Sequence, residues 1–318
     1  MTNRGQAVKN VMNMPVTLKK KIKPLLIAVV GPTSSGKSDV AVLLAKTFGG
    51  EVVSADSRQV YRGLNIGTGK ITKKETRGIP HHLLDVASPT RRFSAASYQK
   101  KAWRAVKSIW HRGNLPIICG GTGFYVDTLL KGLALPKVKP DKALRRVLEK
   151  KSADELFKML RVLDPKRAET IDRHNPRRLV RAIEIAKAFG RVPTTQFKPK
   201  IAPEHILTIG ISLPDKKLKK NIHVRLQKRM AMGMISEAER LHQGGLSWKR
   251  FEELGLEYRF LARYLEKKIS KQEMLSQLET AINQYAKRQN TWFRRDKSIV
   301  WVKNAKEAAR IAKKFLAG

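Results

Sequence analysis

Gly31, Gly36, Lys37 and Ser38 stand at the spacing glycine, four residues, glycine, lysine, serine, within Gly31-Pro32-Thr33-Ser34-Ser35-Gly36-Lys37-Ser38. Glycines allow a turn whose backbone N–H groups converge on phosphate oxygens. A helix opening at Ser38 adds the positive end of its dipole. Lys37 supplies a mobile point charge, and the Ser38 hydroxyl can sit on Mg²⁺. The apolar run at residues 25–30 precedes this P-loop pattern, and Val40, Leu43, Leu44 and Phe48 follow at helical spacing. That is the strand–loop–helix context a phosphate cradle needs.

The cradle identifies phosphate, not the reaction. Nucleotide hydrolases usually add a strand ending in Asp that helps hold Mg²⁺. Here the apolar run at residues 115–119 ends in Gly120-Gly121-Thr122-Gly123 instead. A carboxylate does stand at another strand end, Asp56, after residues 51–55. In a doubly wound sheet the carboxyl ends of strands face the ligand crevice, so Lys37, Asp56 and Thr122 are expected to converge on one site. Asp56 there could hold Mg²⁺, serve as general base for an acceptor, or cap a helix. The residues alone leave these open.

The elements that must position this site alternate. Strand-like runs at residues 51–54, 82–86, 115–119, 206–212 and 298–302 are separated by helical stretches such as 95–110 and 122–131. This predicts an α/β fold, a P-loop NTPase-like doubly wound parallel sheet covered on both faces. Between residues 137 and 200 the strand signal disappears, which predicts an α-helical insertion domain. The expected organisation is a basic flexible arm (1–24), the first part of the core (25–136), the insertion (137–200), and a return to the core with C-terminal helices and a last strand (201–318).

Sixty-six Lys and Arg against 26 Asp and Glu give a formal net charge of +40. Such an excess favours a polyanionic partner through attraction and counterion release. A host proteome that is basic throughout is the plain alternative. A hydrophobic share of 42% excludes wholesale disorder. The single Cys, Cys119, cannot form an internal disulfide and reads as a buried strand thiol. No apolar run approaches the ~18 residues needed to span a bilayer. A cytoplasmic protein without membrane attachment is expected.

Longer motifs carry a resemblance. The cradle, followed by Asp56-Ser57-Arg58-Gln59-Val60-Tyr61-Arg62-Gly63-Leu64-Asn65-Ile66-Gly67-Thr68-Gly69-Lys70, closely resembles the tRNA dimethylallyltransferases, or tRNA isopentenyltransferases. Gly78-Ile79-Pro80-His81-His82-Leu83-Leu84-Asp85, Gly120-Gly121-Thr122-Gly123-Phe124-Tyr125, Asn175-Pro176-Arg177-Arg178-Leu179-Val180-Arg181-Ala182-Ile183-Glu184 and Tyr285-Ala286-Lys287-Arg288-Gln289-Asn290-Thr291-Trp292-Phe293-Arg294 continue it in order. Asn65 and Gly69 depart from it, standing where the family more often has Asp and Ala. A tail without cysteines matches the shorter bacterial form.

The resemblance implies transfer of a dimethylallyl group from dimethylallyl diphosphate to N6 of the adenosine 3′ of the anticodon, with Mg²⁺ and release of diphosphate. It implies that residues 31–38 hold the diphosphate, with Lys37 on the leaving group and Ser38 on Mg²⁺, that Asp56 is the base, and that Thr122 contacts the substrate nucleotide. It implies tRNA contacts at Ser57, Arg58 and Gln59, at Arg177, Arg178, Leu179, Val180 and Arg181, and at Arg145. The insertion would grip the anticodon stem-loop, and one monomer would serve one tRNA. The competing readings are a prenyltransferase acting on free adenine nucleotides, a P-loop small-molecule kinase, and a non-catalytic RNA-binding protein with the P-loop as a switch.

Blander readings fall elsewhere. His81 and His82 lack companions at metal-ligand spacing and read as structural. Met230, Met232 and Met234 read as core or hinge filler. Trp292 and Phe293 are expected to pack the terminal helix.

Overall fold

Strand β1 (Leu26–Val30) is buried along its whole length because helices cover both its faces. Leu26, Ala28 and Val30 pack toward helices α3 (Ala95–His111) and α4 (Gly123–Leu130). Ile27 and Val29 pack toward α1 (Lys37–Phe48) and α14 (Ala305–Ala317). That two-sided burial explains why the strand reads as an unbroken apolar run. The computed structural model describes residues 24–194 and 196–318. Residues 1–23 of the expected basic arm lie outside the described residues.

Five further strands run parallel to β1: β2 (Gly50–Ser54), β3 (His81–His82), β4 (Leu115–Gly120), β5 (Ile206–Ile211) and β6 (Val300–Val302). Their order is β3-β2-β4-β1-β5-β6. The fold is thus α/β, a P-loop NTPase-like parallel sheet wound on both faces. β1 lies between β4 and β5, so the loops after β1, β2 and β4 open on one edge of the sheet. The strand expected at residues 82–86 is corrected to two residues. Leu83 and Asp85 adopt φ of 65° and 56°, a left-handed backbone that cannot continue a strand.

Between β4 and β5, beyond α4, the described chain is helical: α5 (Lys142–Leu148), α6 (Ala153–Leu163), α7 (Pro165–Thr170) and α8 (Pro176–Phe189). Leu148, Leu156, Leu160, Leu179 and Ile183 give this module its own core. Its two connections meet in an antiparallel bridge between Leu133 and Phe197, where Ala134 N–H donates to Gln196 and Lys198 N–H to Gly132, each at 2.9 Å.

A third core joins the segment after β2, which contains the short α2 (Lys73–Thr76), to the helices after β5. These are α9 (Asp215–Ala231), α10 (Met234–Gln243), α11 (Trp248–Leu254), α12 (Leu256–Leu265) and α13 (Lys271–Arg294). Val60, Tyr61 and Leu64 pack among them. Met234 is buried in this core, Met230 packs at its edge and Met232 is half-exposed. Among the described residues no helix is long and apolar enough to cross a membrane.

Candidate active site

The loop at residues 31–36 joins the buried β1 to α1, whose N-cap is Gly36 at φ 87° with no side-chain cap. The first amides of α1 are therefore left for an outside acceptor, the arrangement that suits an anion. Lys37 folds back so that Nζ donates to Pro32 O at 3.1 Å. Burial pushes its ammonium below the ordinary lysine value, Arg225 pushes it the same way, and Cys119 and Asp56 oppose them. Thr33, Lys37 and Ser38 line a cavity of about 370 Å³. Cys119 also lines it, and burial pushes the thiol up to about 11 although Lys37 opposes this.

Asp56 lines the same cavity with Ser57, Arg58 and Gln59. Its Oδ1 accepts the backbone N–H groups of Arg58 and Gln59 at 2.8 and 3.3 Å. The chain after it is a turn, so the capping alternative is realised as an Asx turn and not as a helix cap. Oδ2 takes no hydrogen bond from the described residues, which leaves one carboxylate oxygen open to the cavity's contents. Thr122 stands behind this turn: its Oγ1 accepts Ser57 N–H at 3.0 Å, and its own N–H donates to Ala55 O at 3.2 Å. Tyr285 lies close to Thr122, and burial together with Asp56 pushes the phenol up to about 12.

The far wall comes from the C-terminal helices through Arg225, Glu257, Arg259, Tyr285 and Arg288. Arg225 donates to Gly69 O at 2.9 Å. Gly69 has φ 57°, and a Cβ there would stand 2.3 Å from the guanidinium, so glycine is what admits this arginine. Arg229 reaches Gly67 O at 2.8 Å and Glu257 at 2.9 Å. The buried Glu237 carboxylate accepts three successive backbone N–H groups, of Asn65, Ile66 and Gly67, at 2.9, 2.7 and 2.8 Å, and the Tyr258 hydroxyl at 2.7 Å. The long motif is thus held from behind by helices some 170 residues later in the chain.

A second cavity, of about 390 Å³, lies between the core and the helical module. Arg58 lines both cavities and so stands where they adjoin. Tyr61, Arg145, Arg177, Val180 and Arg250 also line the second one. Asn175 caps α8 by accepting Arg178 N–H at 3.3 Å, and Pro176 opens it, which leaves Arg177 and Arg178 exposed at its first turn.

Of the other expected tRNA contacts in this stretch, Leu179 is corrected, while Arg145 and Val180 stay at the second cavity. Leu179 is fully buried in the module's core and Val180 nearly so, so Leu179 has no surface to offer RNA. Arg145 grips Glu184 with two bonds of 2.6 Å, and Arg181 joins them at 3.1 Å while donating to Val138 O at 3.0 Å. Burial of Glu184 works against its charge, but these guanidinium groups hold its carboxyl below the usual range. Both arginines thus anchor the module.

His82 Nε2 donates to the Glu51 carboxylate at 2.6 Å, a structural pairing at the edge of the sheet. Among the described residues no group of three or more His, Cys, Asp or Glu could hold a metal ion. Trp292 packs as expected, with Nε1 donating to Asp127 at 2.9 Å.

Residues 59–296 match the family described as IPP transferase. The chain belongs to the IPP transferase family. Its relatives in that family include the tRNA dimethylallyltransferase of Pelotomaculum thermopropionicum, 38% identical over 90% of this chain and 92% of that one. The tRNA dimethylallyltransferase 2 of Treponema denticola is 44% identical over 85% of this chain and 91% of its own. The solved tRNA isopentenylpyrophosphate transferase of Bacillus halodurans superposes with a TM-score of 0.70 at 34% identity, covering 93% of this chain and 97% of that one. A eukaryotic dimethylallyltransferase acting on tRNA shares the fold, with a TM-score of 0.79 at 23% identity over 92% of this chain and 79% of that one.

Several residues of this IPP transferase site carried no signal at the level of sequence. Arg225 lies in a helix crowded with lysines and belongs to no motif. Tyr285 and Gln289 lie in the last motif, where only packing was expected. Glu237 sits in a stretch with no recognisable pattern. Only the folded chain brings these to the cavity or behind it.

Proposed function

We propose that this chain prenylates an adenosine of tRNA, taking the group from dimethylallyl diphosphate and placing it on N6 of the adenosine 3′ of the anticodon. One observation carries the assignment. A phosphate cradle and a carboxylate oxygen without a partner among the described residues line one cavity, and Arg58 joins that cavity to a second, arginine-lined one against the helical module. A diphosphate donor suits the first, and a flipped nucleotide entering from the second would reach the same point.

The chemistry requires three things. The exocyclic amine of adenine is a poor nucleophile, because its lone pair is delocalised into the ring. The allylic C1–O bond compensates by ionising readily as N6 attacks C1. Charge then accumulates on the departing diphosphate, where the uncapped amides of α1, Lys37 and Arg225 stabilise it. The proton lost by N6 passes to Asp56 Oδ2. Thr122 keeps Ser57, and with it the Asp56 turn, in place.

Mg²⁺ would be held by Ser38 together with the diphosphate oxygens. One hydroxyl at the cavity wall fits a metal carried mainly by its substrate, and an all-protein cage is not needed. Bound there, the ion would supply further positive charge to the leaving group. Arg177 and Arg178 would meet tRNA phosphates. The chain would act as a monomer in the cytoplasm, where tRNA is at hand.

Labelled donor tests the reading. Purified protein with Mg²⁺ is given either an unmodified tRNA carrying adenosine 3′ of its anticodon or free AMP. Label in tRNA and not in AMP supports the proposal. Label in AMP alone would reassign the chain to the free-nucleotide prenyltransferases, and ATP consumption without transfer to the kinases.

A further inference from the structure

Gln289, in α13, reaches two loops at once. Its Oε1 accepts the backbone N–H of Thr33 in the phosphate cradle at 2.8 Å, and its Nε2 donates to Gly121 O, just beyond β4, at 2.8 Å. The orientation of the amide follows from the partners, since an N–H requires its oxygen and a carbonyl requires its NH₂. The side chain is buried. A Cβ at position 121 would stand 2.2 Å from Nε2, so a glycine there is what admits the amide.

From Gly121 the connection continues without a gap. The next residue, Thr122, bonds Ala55 O and Ser57 N–H, the two neighbours of Asp56 in the chain. One side chain therefore links the loop that would take the leaving diphosphate to the loop that carries the proton acceptor. Tyr285, Gln289 and Trp292 lie at i, i+4 and i+7 on α13, on one face of the helix. Gln289 bonds Gly121 and Trp292 bonds Asp127, so the helix lies along the segment after β4. Of the three, Gln289 alone also bonds the cradle.

A buried glutamine can serve merely to satisfy backbone groups where a helix docks. That reading accounts for the burial and is indifferent to which loops are joined. Here the joined loops are the two whose separation sets the distance from donor to acceptor.

We propose that Gln289 is a positioning residue that fixes the phosphate cradle relative to the Asp56–Thr122 side of the site, and so sets the approach of N6 to the allylic carbon. The inference rests on the proposed function. Misplacing bound reactants by an ångström can cost about 100-fold in rate. Loosening this link should therefore lower the rate of transfer and leave affinity nearly unchanged.

The test uses full-length Gln289→Glu and Gln289→Ala. Glutamate keeps an oxygen for Thr33 N–H and sets a second oxygen against Gly121 O at nearly the same size. In Gln289→Glu, the single-turnover rate at saturating donor and tRNA is expected to fall about 10- to 100-fold. The KM for donor and the Kd for tRNA should stay close to wild type, and the rate is referred to the folded fraction, because the two facing oxygens lower the thermal midpoint. An unchanged rate, a loss confined to KM, or a loss that follows a fall in folded fraction would overturn the inference while wild-type transfer stands. If Gln289→Ala does not fold, Gln289→Glu decides. Absence of transfer by the wild type would instead remove the proposed function, and this inference with it.

Discussion

Asp56 commits one carboxylate oxygen to the backbone N–H of Arg58, 2.8 Å away, and keeps the other free of partners among the described residues. The same side chain thereby shapes the turn and remains available as a base. Asp56→Asn separates these tasks, because an amide oxygen can still accept the Arg58 and Gln59 N–H groups but the side chain cannot take a proton. The expected result is donor and tRNA binding near wild type, with a single-turnover rate lower by about 10²–10⁴, the range for a general base. Transfer at a near-normal rate in that variant would remove Asp56 from the mechanism.

Arg225 reaches the cavity with its guanidinium anchored on Gly69 O. Hydrogen bonds to charged groups contribute roughly 1.5–3 kcal/mol, so Arg225→Ala should raise the KM for donor by about 10- to 100-fold. Affinity for tRNA should change far less. Steady-state kinetics with each substrate varied in turn distinguishes the two.

Arg177 and Arg145 line one cavity but differ in their bonds. Arg177 is exposed at the first turn of α8, whereas Arg145 is held by Glu184. Arg177→Ala should weaken tRNA binding and lower the salt slope of log Kd by roughly one phosphate contact, with little change in thermal midpoint. Arg145→Ala leaves the buried Glu184 carboxylate short of a partner and should lower the midpoint of the helical module. Binding titrations at several salt concentrations and thermal melts together resolve the pair.

Glu237 accepts three successive N–H groups of the long motif. Glu237→Ala leaves them without an acceptor, the Gly67 N–H buried and the other two partly so, and a fully buried group left unpaired costs about 1–3 kcal/mol. The variant should be strongly destabilised in chemical denaturation. Glu237→Gln, which keeps acceptor oxygen at this position, should lose less.

Arg112 and Asn114 hold the buried Glu51 carboxyl at about 2, with burial opposing them and His82 assisting. A carboxyl depressed in the folded state contributes stability above its unfolded value of 4.5, and that contribution is lost as pH falls toward 2. Acid unfolding of Glu51→Gln should therefore be flatter than wild type between those two pH values, from a lower starting stability.

Contiguous motifs were the readable part of this chain. The cradle and Asp56 announce themselves because neighbouring residues build each feature, and β1, β4 and β5 because strands buried on both faces are apolar throughout. Residues 82–86 failed as a strand because left-handed backbone at Leu83 and Asp85 leaves little trace in an apolar run. Leu179, Arg181 and Arg145 were expected at RNA because the resemblance carries contacts over to these positions. Helical periodicity instead turns Leu179 into the core, and Glu184 takes the two arginines. Gln289, Glu237 and Arg225 act across more than 150 residues of chain, a distance that no local spacing reports.

The most direct measurement is the identity and position of the product nucleoside. Unmodified tRNA is incubated with the protein, Mg²⁺ and dimethylallyl diphosphate, cut with a base-specific nuclease, and its fragments are weighed and sequenced by mass spectrometry. The account predicts one dimethylallyl group, on N6 of the adenosine 3′ of the anticodon, formed with one diphosphate released. A tRNA recovered unmodified, or modified at another nucleotide, would contradict it.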